Sequence, residues 1–327
     1  MFGHKFFLLM LLTGLSQLAP AAERKAAIRE GSAGASISSP VIGYFWSAPD
    51  GVASVEGVPG AAHIGRPRAL SFVPTRVALP PGQAYVWLEG PGPSLALNGT
   101  LDDTVVAGSD VISFSQNGSA AALYFRSAAR IRVVTGLPDS LKVSAAFSVP
   151  QFDCDASALA IADDATTVLM ACSGNLYIAV ADGAWRPAMP GQVAAVSFLP
   201  GSSDALAIMT GDSAVYGVSV DTQKAGVKAQ LPNGMNDPIS LAVSGDGRFV
   251  LAIDGDGNAA QLDLLRSQTA LLKVAQGMRT VQRGRDASTF LLIPESGGTP
   301  WIIEAREGNP SASFAPRIPL APSVSQQ

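Results

Sequence analysis

The chain has 327 residues, 47% apolar and 15% charged, with 33 Gly, 23 Pro and a formal net charge of −4. Such a composition can bury a large core and argues against disorder except at the ends. The absence of any Lys/Arg run argues against nucleic acid or an anionic membrane surface as partner, since both require several cations on one face.

The first element is a targeting signal. Lys5 supplies the positive start, Phe6 to Leu15 an apolar stretch too short to span a bilayer comfortably, and Ala19-Pro-Ala21 or Pro20-Ala-Ala22 a small-residue cleavage site. Residues 1–22 are therefore expected to be removed on export to the periplasm or the exterior. No later run approaches about 18 apolar residues, so membrane insertion is not expected. Residues 23–39, rich in Ala, Gly and Ser, read as a flexible lead-in.

Order is expected over residues 40–317. Val41 to Trp46 and Val52 to Val58 read as a strand pair around Ala48-Pro-Asp-Gly51. A group of four follows, Thr75 to Leu79, Ala84 to Glu89, Ser94 to Leu97 and Thr104 to Ala107. The next is Asp110 to Ser115, Ala121 to Phe125, Arg130 to Val134 and Leu141 to Phe147. Then come Ala156 to Ile161, Thr166 to Ala171, Asn175 to Ala179 and a short strand after Trp185. Val193 to Phe198, Ala205 to Thr210, Ser213 to Val220 and Gly226 to Ala229 form another group.

The cleanest copy lies between Asp237 and Leu272, with strands Ser240 to Ser244, Arg248 to Ile253, Asn258 to Asp263 and Thr269 to Leu272. A less regular one follows: Met278 to Val281, Thr289 to Ile293, Pro300 to Glu304 and Ser311 to Phe314. Residues 318–327 form a Pro/Ser tail.

The turns recur in register. Ser115-Gln-Asn-Gly118, Ala162-Asp-Asp-Ala165, Leu199-Pro-Gly-Ser202 and Ser244-Gly-Asp-Gly247 each join a first strand to a second. Asn, Asp and Gly suit such turns because they tolerate positive φ or cap the turn with a side chain. Four-strand meanders at roughly 40-residue spacing predict an all-β fold, a β-propeller of six or seven four-stranded antiparallel blades. Seven is favoured, with Val41 to Val58 belonging to a blade completed near the C-terminus; a β-sandwich pair is the alternative.

On this pattern the chain resembles the broad class of exported bacterial β-propellers with YVTN, NHL or WD40-like blades, over about Pro40 to Arg317. It lacks a Gly-His and Trp-Asp pair in each copy, and no copy reads Tyr-Val-Thr-Asn. The resemblance implies a fold and no particular activity.

Cys154 and Cys172 lie at nearly equal distances from the turn Ala162-Asp-Asp-Ala165. A cross-strand disulfide is expected, with two buried thiols as the alternative. Once the signal is removed His63 is the remaining imidazole, which excludes two-histidine chemistry within one subunit.

Asp254, Asp256 and Asn258 place oxygen ligands at alternate positions of Asp254-Gly-Asp-Gly-Asn258. They could converge on Ca²⁺, although Ala259 and Leu265 break the EF-hand pattern, and a plain turn is the simpler reading. Asp212, Asp254, Asp256 and Glu295 fall in equivalent loops, a candidate binding face for a cation or a basic partner. The Asp153/Asp155 and Asp163/Asp164 pairs carry no spacing that defines a glycosidase site. Asn98-Gly-Thr100 and Asn117-Gly-Ser119 match the glycosylation pattern but read better as hairpin turns. Trp46, Trp87, Trp185 and Trp301 suit packing between blades.

The expected function is an exported binding or scaffold module for a protein or a small molecule, monomeric and requiring no cofactor. The alternative is a propeller enzyme, a Ca²⁺-dependent lactonase or lyase-like hydrolase.

Overall fold

The structure, a computed structural model, describes residues 39–47, 51–68, 70, 72–89, 95–96, 99–100, 108–149, 155–180, 183–295 and 298–317. The signal and the Pro/Ser tail lie outside them, as do Cys154 and the strand expected at Thr104 to Ala107.

The described residues form seven antiparallel sheets. The first holds β1 (Val41–Ser47), β2 (Gly51–Glu56) and β3 (His63–Ile64). The second holds β4 (Arg76–Ala78), β5 (Trp87–Glu89), β6 (Leu95–Ala96) and β7 (Gly99–Thr100). The third holds β8 (Val111–Phe114), β9 (Ala120–Phe125), β10 (Arg130–Thr135) and β11 (Lys142–Ser148). The fourth holds β12 (Ala158–Ile161), β13 (Val168–Cys172), β14 (Asn175–Ala179) and β15 (Trp185–Pro190). The fifth holds β16 (Val193–Phe198), β17 (Ala205–Met209), β18 (Ala214–Ser219) and β19 (Lys224–Gln230). The sixth holds β20 (Pro238–Val243), β21 (Phe249–Asp254), β22 (Asn258–Asp263) and β23 (Gln268–Lys273). The seventh holds β24 (Met278–Arg283), β25 (Thr289–Pro294), β26 (Trp301–Glu304) and β27 (Ser311–Phe314).

Every sheet runs in sequence order, so each is a simple meander. The turns read from sequence are present. Backbone N–H groups of Gly118, Ala165, Ser202 and Gly247 donate to the carbonyls of Ser115, Ala162, Leu199 and Ser244 at 3.0–3.1 Å. Ser115 and Ser244 add a hydroxyl that accepts the N–H of Ala120 and Phe249, at 3.1 and 2.8 Å. In the second sheet Leu95 pairs with Thr100 and Ala96 with Gly99, so the strand that follows the third is β7.

Burial explains why the strands read as they do. β9, β13, β21 and β22 are buried on both faces, whereas β11, β19 and β23 are largely exposed. A sheet held between two neighbours covers its second strand on both sides, hence the unbroken apolar runs there.

Seven apolar clusters alternate with the seven sheets. One joins the third and fourth sheets through Tyr124, Phe147, Leu159 and Met170, and others join the fourth to the fifth, the fifth to the sixth and the sixth to the seventh. Phe45, Val55, Leu291 and Ile302 join the seventh back to the first. Val52 with Val86 and Leu88 joins the first to the second, and Trp87 with Leu123 joins the second to the third. A seven-bladed β-propeller results, and a two-sheet sandwich does not describe it. Each fully buried Leu or Phe in these seams contributes about 1.5–3 kcal/mol.

The two ends of the described chain meet. Ile64 of β3 donates its N–H to the carbonyl of Pro316 at 3.0 Å and bridges Arg317 in parallel. Arg317 also donates Nη2 to Ser47 Oγ at 2.6 Å. The C-terminal segment therefore covers the outer edge of the first sheet, which would otherwise expose unpaired backbone groups.

Candidate functional site

The first strand of each sheet is the innermost. β4, β8, β16, β20 and β24 together line a central cavity of about 380 Å³. Its walls are mixed: Val77, Leu79, Phe114 and Val196 are among the apolar lining residues, while polar atoms make up at least as much of the surface facing the cavity. At one end the wall turns polar, with Gln116, Ser197, Gln282 and Arg283.

The meander dictates which turns surround that polar end. First-to-second and third-to-fourth turns share one face of the disc; second-to-third turns share the other. Arg283 ends β24 at the first-to-second face, opposite Phe290. Its Nη2 donates to the carbonyl of Gln116 at 2.6 Å, and Nη1 to Gln116 Oε1 at 3.4 Å. Gln116 Nε2 donates in turn to Ser197 Oγ at 2.7 Å. Gln83, buried and held at φ +46°, donates Nε2 to Gln282 Oε1 at 3.3 Å and accepts the backbone N–H of Tyr44. Five blades thus meet in one polar mouth.

A belt of hydrogen bonds holds the same face together. Tyr85 donates its hydroxyl to Gly118 O at 2.7 Å, and burial raises its pKa, keeping it a neutral donor. Asp163 accepts the N–H of Asn117 and of Gly201, both at 2.8 Å, and so ties three successive turns. Gly245 donates its N–H to Ala287 O at 2.7 Å, and Arg285 its N–H to Ile42 O at 2.8 Å. Desolvation lowers the Arg283 pKa from the usual guanidinium value while the Asp163 charge opposes that shift.

The acidic residues singled out from sequence lie on the opposite face. Asp212 sits in the β17–β18 turn and accepts the Tyr216 hydroxyl. Glu295, after β25, pairs with Arg279 Nε at 2.8 Å. Asp256 is exposed. Asp254 is fully buried, and its oxygens accept the N–H groups of Asp256, Asn258 and Asn236 at 3.0, 2.9 and 3.1 Å, plus Asn258 Nδ2 at 2.6 Å. Lys273 Nζ contacts Asn258 Oδ1. Asp254 thus organises a turn, and an ammonium already occupies the Asn258 oxygen. Among the described residues no three His, Cys, Asp or Glu side chains converge as metal ligands.

The remaining candidates are placed as follows. His63 lies on β3, with Nε2 3.7 Å from Glu56 Oε2. Cys172 ends β13 and is buried. Trp87 is fully buried and donates Nε1 to Glu89 Oε1 at 3.2 Å, while Trp185 donates Nε1 to Ser148 O at 2.9 Å. Arg283, Gln83, Gln116, Gln282 and Ser197 were missed in the sequence. A register argument would have found Gln116, because it occupies a first-to-second turn, but Arg283 offers no local motif.

No protein-family model matches the chain and no curated protein matches it. Among solved structures it is similar to the WD40 repeats of RRP9, with TM-score 0.55 and 12% identity, covering 77% of this chain and 83% of that one. Hydrazine synthase of Kuenenia stuttgartiensis gives TM-score 0.49 at 15% identity, covering 67% of this chain and 68% of that one. The β-propeller domain of Myceliophteria thermophila Cps50 (Swd1) gives 0.49 at 14%, covering 63% and 70%. The RRP9 likeness is one of fold, and it agrees with the seven sheets. No helix among the described residues is long and apolar enough to cross a membrane.

Proposed function

We propose that this propeller is an exported binding scaffold that takes a protein or small molecule at its first-to-second-turn face. The observation that carries the proposal is the central mouth, where five blades converge on a cavity of about 380 Å³ with mixed apolar and polar walls. A concave site with a few polar groups held in place is suited to fixing the orientation of a ligand. Binding also suits the chemistry present: an arginine, amides and hydroxyls recognise and orient, and among the described residues the cavity lining holds no carboxylate, imidazole or thiol.

The test compares two exposed charges with no side-chain role in the fold described above. Arg285→Glu alters the first-to-second-turn face and Asp256→Arg the opposite one. Immobilised mature protein is used to capture material from its native envelope fraction. Specific capture lost with Arg285→Glu and kept with Asp256→Arg is expected. No specific capture contradicts a macromolecular partner, and loss with Asp256→Arg alone contradicts the choice of face.

A further inference from the structure

Charge at the mouth is unbalanced. Among the described residues Arg283 is the one charged side chain lining the cavity. A guanidinium carries five N–H donors, and Arg283 directs its described hydrogen bonds to Gln116 alone, at 2.6 and 3.4 Å. Among the described residues no carboxylate forms an ion pair with it. Asp163 acts on it electrostatically, but both Asp163 oxygens are already held by backbone N–H groups at 2.8 Å.

The group is also fixed in place. A Cβ built on Gly82 would lie 3.4 Å from Arg283 Nη2, and one on Gly245 3.6 Å from Nη1. Turns of the second and sixth sheets thus bracket the guanidinium while the third sheet anchors it. A donor fork held this way has little freedom to lose on binding.

We propose that the channel mouth binds a small organic monocarboxylate, its carboxylate on Arg283 and its apolar body in the channel. This deepens the binding-scaffold reading and rests on it. A planar carboxylate matches the guanidinium fork. One cation, with Asp163 in its field, favours a single negative charge over a dianion such as phosphate. Leu79, Ile112 and Phe114, packed in blade seams and only partly covered, leave apolar surface for a hydrocarbon body that a bare inorganic anion does not use. A cavity of about 380 Å³ falls at the small end of ligand sites. Ser197 and Gln282 add a hydroxyl and an amide to orient the acid.

Calorimetric titration of the mature protein tests the proposal with phenylacetate, hexanoate and 3-methylbutanoate as probes. Phenylacetamide serves as the neutral isostere and inorganic phosphate as the anion without an apolar body. At least one carboxylate is expected to bind at one per chain, at least about tenfold tighter than phenylacetamide or phosphate. Arg283→Met should weaken it at least about tenfold, and Arg283→Lys should keep part of the affinity. The isostere comparison uses wild-type protein, so it stands even where a variant folds poorly. No binding by any of the three acids, equal binding of the amide, or full affinity in folded Arg283→Met overturns the proposal. Envelope capture lost with Arg285→Glu alongside silent titrations would leave the binding face standing and remove the carboxylate. Failed capture with positive titrations would do the reverse for a macromolecular partner.

Discussion

Arg283 of the seventh sheet donates Nη2 to the backbone carbonyl of Gln116 in the third, at 2.6 Å across the centre of the disc. The same glutamine donates to Ser197 of the fifth sheet at 2.7 Å. Gln116→Ala keeps the carbonyl contact and removes both side-chain ones. A loss of about 1–2 kcal/mol is expected, because Ser197 is buried and an abandoned partner costs more than an average hydrogen bond. Urea denaturation at unchanged m-value measures it.

Gly43 is glycine because of space. A Cβ there would lie 2.5 Å from Gln83 Oε1 and 2.7 Å from Leu291 Cδ1. Gly43→Ala should cost about 1–3 kcal/mol by overpacking. Part of that cost should vanish in a Gln83→Ala background, and a double-mutant cycle reads the coupling. Strict additivity would show that the two sites do not touch.

Asp254 organises its turn, accepting hydrogen bonds from Asn236, Asp256 and Asn258. Asp254→Ala strands buried N–H groups and should destabilise by about 2–4 kcal/mol in chemical denaturation. Because its oxygens already accept four hydrogen bonds, melting should be the same in Ca²⁺ and in chelator. A clear rise in melting temperature with Ca²⁺ would place a cation on this loop.

Arg248 donates Nε and Nη2 to Asp263 at 3.1 and 2.6 Å, and Nη2 to Glu307 at 3.1 Å, joining the sixth and seventh sheets. The Arg248 hydrogen bonds hold the Asp263 carboxyl below its ordinary value of 3.8. A carboxylate with a depressed folded pKa stabilises fully above its unfolded value, and that stabilisation is lost as pH falls through the folded one. Arg248→Gln should therefore be less stable than wild type at neutral pH, with the gap narrowing below 3.8. A gap independent of pH in urea titrations would assign the loss to packing on Phe249, whose ring lies 4.8 Å from the guanidinium.

The Cys154–Cys172 bridge remains an expectation, with Cys154 outside the described residues. The unreduced protein should show no titratable thiol and a linked peptide pair by mass spectrometry. Reduction should cost about 3 kcal/mol for a loop of this length.

The repeat was legible because its information is local. Ser115-Gln-Asn-Gly118 and Ser244-Gly-Asp-Gly247 carry the turn chemistry in their own side chains, and both form the expected turns. β21 reads as a strand because both faces of Phe249 to Asp254 are covered. The mouth was not legible, because Arg283 and Gln116 meet only when the ring closes, and neither side chain signals the other in sequence. Acidic loops drew attention by composition, whereas Asp254 is occupied by its own turn. β3 escaped notice because two residues between Gly60 and Gly65 leave no period to read.

Hydrogen exchange on the protein, with and without the material it captures, tests the account most directly. Protection confined to the turns at 80–83, 115–118 and 282–285 is the predicted result. Protection at 209–214, 254–258 and 294–295 instead, with the central mouth unchanged, would contradict it.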